Sequence, residues 1–68
     1  MDVIDAMRVM ERLYLKAQDD WAYWNAERSR SVAMGHPVTA EKAARKAIEA
    51  EEEIEAIDVA LTALRRAP

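Results

Sequence analysis

The chain has 68 residues and no cysteine. A chain this short forms one domain, buries only about 60% of its unfolded surface, and has neither disulfides nor thiolate metal sites to staple it. Hydrophobic residues make up 51%, charged residues 34%, and the net charge is −3, which points away from disorder and from general attraction to nucleic acid.

At the start, Val3 and Ile4 are soon followed by Asp5, Arg8, Glu11 and Arg12. No apolar run reaches signal-peptide or membrane-span length, so a cytoplasmic protein with no membrane partner is expected. Asp2 can cap a first helix, and Asp5 three residues on resembles a capping box. Ala, Glu, Arg, Leu and Met, all good helix formers, then dominate. This predicts helix 1 over about residues 2–34. Its apolar stripe is Val3, Met7, Met10, Tyr14, Ala17, Trp21 and Trp24, flanked by Ala6 and Leu13.

Strong breaker chemistry occurs at one place, Gly35-His36-Pro37-Val38-Thr39. The single glycine suits a left-handed C-cap, and proline two residues later cannot extend that helix. Thr39 reads as the N-cap of helix 2, about 39–66, with Glu41 in its first turn beside the positive dipole end. Ala40, Ala43, Ala47, Ala50, Ile54, Ile57, Leu61 and Leu64 alternate spacings of three and four, the pattern of a coiled-coil seam.

Folding the chain at Gly35 runs the two stripes antiparallel. The alanine half of helix 2 then faces the Trp21–Trp24 end of helix 1, and the Ile/Leu half faces Ala17, Tyr14, Met10 and Met7. Large opposes small, as dense packing requires. The expected fold is all-α: an antiparallel two-helix hairpin forming one domain. Apolar residues remain off the seam. Ile4, Leu15 and Ala22 form a second line, Val9 and Tyr23 point elsewhere, and Ile48 and Val59 flank the helix 2 seam. Domains cover such surface with another layer, and the simplest layer is a second copy, giving a four-helix bundle. Tyr23, Ile4, Val9, Leu15, Ile48 and Val59 are therefore the candidate contacts with a partner or second subunit. Trp21 and Trp24 are assigned chiefly to the core.

Chemistry is sparse. Glu51-Glu52-x-x-Glu55, overlapped by Glu55-x-x-Asp58, resembles the E-E-x-x-E element of all-helical nucleoside triphosphate pyrophosphohydrolases of the MazG type. That family holds magnesium with such carboxylates and carries a further E-x-x-D on a later helix, which this sequence lacks. The run is read as a solvated face, and no metal site is assigned. His36 stands alone in the turn, without the spacing of a zinc or di-iron site. Ser29 and Ser31 lack any histidine or lysine arrangement that marks them as nucleophiles. No catalytic residue and no cofactor is expected.

Charge is segregated. Arg28, Arg30, Lys42, Arg45 and Lys46, with His36, surround the hairpin tip, while Asp19, Asp20 and the glutamates form an acidic waist. Lys42, Arg45 and Lys46 near a helix N-terminus oppose its dipole, although Lys46 can pair with Glu49 or Glu53 at helical spacing. The favoured function is a non-enzymatic interaction protein, an adaptor or inhibitor that binds a larger protein. In size and composition it is analogous to phage and mobile-element products. The alternatives are a nucleic-acid-binding regulator using the basic tip, and a structural subunit of a large assembly.

Overall fold

The computed structural model describes residues 2–66. It contains two helices packed against each other, α1 (Val3–Ala33) and α2 (Pro37–Arg66), and no strand among the described residues. The sequence expectation of an all-helical hairpin holds. The pair forms a rod of 52 × 14 × 13 Å. Its radius of gyration is 15.4 Å, where a compact chain of this length would have about 11 Å.

Local chemistry explains where each helix starts and stops. The Asp2 carboxylate accepts the Asp5 backbone N–H at 2.8 Å, closing the N-terminus of α1. At the other end Gly35 adopts φ +73°. Gly35 N–H donates to the Val32 carbonyl at 3.2 Å, and His36 N–H to the Ser31 carbonyl at 2.8 Å. These are the two bonds of a Schellman motif, which satisfies carbonyls the helix itself leaves unpaired.

The start of α2 differs from expectation. Thr39 is not the N-cap, because the helix begins at Pro37 and the His36 carbonyl already accepts the Ala40 N–H at 3.0 Å. Proline is suited to the first helical position: its φ is preset and its missing N–H would have no partner there. With the start moved back two residues, Glu41 lies beyond the first turn, which holds no acidic residue. Lys42, Arg45 and Lys46 are likewise further from the dipole end than the sequence reading placed them. Their electrostatic penalty shrinks, since the effect fades within one turn.

The seam of α2 is as read from its spacing. Ala40, Ala43, Ala47, Ala50, Ile57 and Leu61 are buried, and Ile54 and Leu64 half-buried. Against it α1 presents Met7, Met10, Tyr14, Ala17 and Trp24, and Ala17 packs into one cluster with Ile57 and Leu61. Val3, at the open end, is 45% exposed, and Trp21 also departs from expectation. It is 43% exposed and lies on the shoulder of the seam. A stripe that repeats every 3.5 residues slips by about 20° per heptad on a 3.6-residue helix, so a position inward near the middle of α1 need not stay inward towards its end. Ser31, 5% exposed, takes the corresponding seam position near the tip.

The resulting core is thin. Its buried apolar side chains are five alanines with Ile57 and Leu61, and no large side chain falls below 2% exposure among the described residues. Alanine lets the helices approach closely but contributes little apolar area.

Candidate interaction surface

Two helices lying side by side leave two grooves, and their linings divide the molecule into two broad faces. Glu11, Tyr14 and Leu15 of α1 line one groove, of about 370 Å³, with Asp58, Leu61 and Arg65 of α2. It continues into a concavity of about 300 Å³ lined by Asp58, Val59, Thr62, Ala63 and Arg66. On the other side Asp20 and Trp24 share a groove of about 190 Å³ with Lys46, Glu49, Ala50 and Glu53. The first side is the broad apolar face of the rod, and the second its polar face.

The six residues assigned to partner contact all project outward: Ile4 is 62% exposed, Val9 36%, Leu15 61%, Tyr23 57%, Ile48 53% and Val59 65%. They do not form one patch. Positions seven or eleven apart nearly superpose along a helix. Ile48 therefore lies on the same side of α2 as Val59, and both share the apolar face with Leu15. Val9 and Tyr23 are on the polar side of α1, and Ile4 is near the open end. Tyr23 also leans on a neighbour, its ring meeting Trp24 edge-on with centroids 4.9 Å apart and planes at 82°. The geometry is favourable for aromatic pairs.

Sequence reasoning missed six exposed apolar residues, among them Val3 at 45% and Leu13 at 41%. Trp21 is two turns from Tyr14 on the apolar face. Val32, Met34 and Val38, exposed at the tip, surround or adjoin a small concavity lined by Val32, Gly35, His36, Pro37 and Ala40. The signal was present in the sequence: three large apolar residues flank a turn where polar ones would serve as well.

The charges sort into bands along the rod. Around the tip, residues 25–49, Arg28, Arg30, Lys42, Arg45 and Lys46 stand against Glu27, Glu41 and Glu49. At the waist, residues 16–24 and 50–58, only Lys16 offsets Asp19, Asp20, Glu51, Glu52, Glu53, Glu55 and Asp58. Two tip cations are paired internally: Arg30 with Glu27 at 2.7 Å and Lys46 with Glu49 at 3.6 Å. The second is a pairing the sequence had suggested. Such exposed pairs contribute about 0–1 kcal/mol. Arg28, Lys42 and Arg45 are exposed and make no ion pair among the described residues. They point in different directions: Arg28 towards the apolar face, Arg45 to its outer edge, Lys42 away from it.

His36 is exposed in the turn. Glu51, Glu52 and Glu55 are exposed on α2, and no three His, Asp or Glu side chains among the described residues come together as a metal-binding group. No helix among them is long and apolar enough to cross a membrane. In comparisons with known proteins, no family model, curated protein or solved structure matches the chain, which leaves its own residues as the basis for function.

Proposed function

We propose that the chain is a non-enzymatic helical interaction protein that dimerises into a four-helix bundle and acts as an adaptor or inhibitor on a larger protein. One observation carries this reading: the hairpin exposes more surface than a compact chain of its mass, large apolar side chains included. Its accessible surface is 5263 Å², whereas a compact monomer of 7.7 kDa exposes about 4,300 Å². The excess is on the order of 900 Å², close to the roughly 800 Å² that each partner buries in a standard interface. Val3, Ile4, Leu15, Trp21, Val32, Ile48 and Val59 are all more than 40% exposed. A second layer of helices is the ordinary way to cover such residues.

Sedimentation equilibrium at micromolar concentration is expected to give twice the chain mass of 7.7 kDa. Affinity capture with the native chain, compared with a chain carrying both Tyr23→Ala and Val9→Ser, then tests for the larger partner on the opposite face. A monomer that unfolds cooperatively and captures no more protein than the doubly substituted chain ends this reading.

A second reading draws on the three tip cations without ion pairs: a nucleic-acid regulator that holds phosphates at the hairpin tip. Phosphate binding releases counterions, so such affinity falls steeply with salt. The acidic waist, within about 15 Å of the tip cations at 1.5 Å per residue, opposes a polyanion lying along the rod. Binding to duplex DNA is expected to stay in the nonspecific range of about 10⁻⁴–10⁻⁶ M at physiological salt. A submicromolar, salt-sensitive complex abolished by Arg45→Glu with Lys46→Glu would reverse the ranking.

A further inference from the structure

The proposed dimer leaves open which face pairs and in which direction, and the apolar face carries information on both. Along α2 this face reads Glu41, Arg45, Ile48, Glu52, Glu55 and Val59 from tip to open end, all exposed. Their spacings of three and four keep them on one side of the helix. Along α1 it reads Val32, Trp21 and Leu15 in the same direction, at 66%, 43% and 61% exposure. Near the tip Arg28 and Arg45 outnumber Glu41, at the waist the face is acidic, and Ile48 lies between.

Such a surface is complementary to itself under one kind of symmetry. An antiparallel stack waist upon waist sets Glu51, Glu52, Glu55 and Asp58 against their own equivalents, and a parallel two-fold, which lays each α2 on the copy's α1 level for level, sets tip on tip and acidic waist on acidic waist. An antiparallel two-fold displaced towards the tip instead sets each copy's Arg45 on the other copy's waist carboxylates. We infer that the apolar face binds a second copy of this chain, antiparallel, about a two-fold axis that crosses α2 at Ile48. This rests on the dimer reading and adds its face, direction and register.

The register follows from the residues. With the axis at Ile48, that side chain, 53% exposed, meets its own equivalent. Arg45, which has no ion pair within the described residues, then faces the copy's Glu52, because the two positions lie nearly equidistant from the axis on the same outer edge of α2. On α1 the same operation brings Trp21 over the copy's Val32. The roughly 900 Å² of surface in excess of a compact monomer is what one protomer of a stable dimer is expected to bury. Two contacts are unfavourable: Glu55 approaches the copy's Glu41, and Arg28, close to the axis on α1, approaches its own equivalent. An isologous interface of this kind closes on itself and does not propagate into fibres.

Charge exchange tests the arrangement. Arg45→Glu and Glu52→Arg are both at exposed sites, so each variant is expected to keep its helical circular dichroism. Each alone is expected to raise the dimer dissociation constant at least tenfold, since every Arg–Glu contact becomes a like-charge pair. An equimolar mixture is expected to recover wild-type affinity as a heterodimer, in which both contacts are again of opposite sign. Glu41→Lys is expected to tighten the homodimer. The chain has no cysteine, so Ile48→Cys can be read directly. It should form an intermolecular disulfide under mild oxidation, whereas Val59→Cys, about 16 Å from the axis at 1.5 Å per residue, should not. A dimeric wild type whose charge variants neither dissociate nor recover on mixing would overturn the register while leaving the four-helix bundle standing. A Val59→Cys chain that cross-links faster than Ile48→Cys would overturn it too. A monomeric wild type would remove both.

Discussion

Gly35 is the residue on which the hairpin most depends for its backbone. Its φ of +73° is left-handed, a conformation that costs an L-residue about 1–2 kcal/mol. A Cβ there meets nothing within 4 Å, so Gly35→Ala isolates the backbone term from any clash. The substitution is expected to lower stability by about 1 kcal/mol, and Gly35→Asn by less, because asparagine tolerates this region. Thermal denaturation of the two variants checks both size and order. The aromatic cluster offers a second comparison. Trp24 is half-buried beside Ala50, while Tyr23 is 57% exposed and rests on it edge-on. Trp24→Ala is expected to reduce the melting temperature clearly, though by less than the roughly 3–5 kcal/mol of a fully buried aromatic. Tyr23→Ala should leave the fold in place and weaken capture of a larger partner. Equal losses of stability from the two would assign Tyr23 to the core.

Between the elements, the alanine ladder of α2 sets how closely the helices approach. Ala43, Ala47 and Ala50 are 1–5% exposed, which leaves no room for a branched side chain. Ala47→Leu is expected to cost about 1–3 kcal/mol through overpacking, read from the thermal midpoint. Stabilisation by this change would mean that α1 stands further off than the structure places it. The same ladder explains why the hairpin is incomplete. Alanine permits close contact, but the apolar area it buries is small, and Ile57 and Leu61 are the only large residues buried among those described. At about 25 cal/mol per Å² of apolar surface, a core of this composition is modest beside the conformational entropy of ordering two long helices. Helices of this length gain most of their stability from tertiary packing.

At the scale of the molecule, a 52 Å rod only 14 Å thick exposes most of what a bundle would cover. Stability is therefore expected to depend on protein concentration, as it does whenever association and folding are coupled. Raising the concentration a hundredfold should move the melting temperature upward. An unchanged midpoint, together with a monomer mass, would show that the two helices suffice by themselves. The banded charge makes a companion expectation: association should strengthen as salt is lowered, because the tip and waist carry opposite excess charge and exposed charges are screened within about 10 Å at 0.1 M salt.

Much of this was legible in the sequence. Periodicity identified both helices and every member of the α2 seam, since a burial pattern with spacings of three and four has one natural partner face. Gly35 located the turn, because only one residue type takes that φ without strain. The Asp2 cap was equally local. The sequence did not determine the first residue of α2, where Thr39 and Pro37 both offer valid helix starts and the carbonyl of His36 decides between them. Nor did it determine Trp21. Whether a residue on the shoulder of a stripe points inward depends on how far that stripe has rotated by the time it reaches the neighbouring helix, and local spacing does not record the rotation. The division of exposed residues into an apolar face with Leu15, Ile48 and Val59 and a polar face with Val9 and Tyr23 likewise appeared only once α2 was placed beside α1. Each helix's own phase is written in its sequence, but which sides of two helices form a common surface is set by the packing between them.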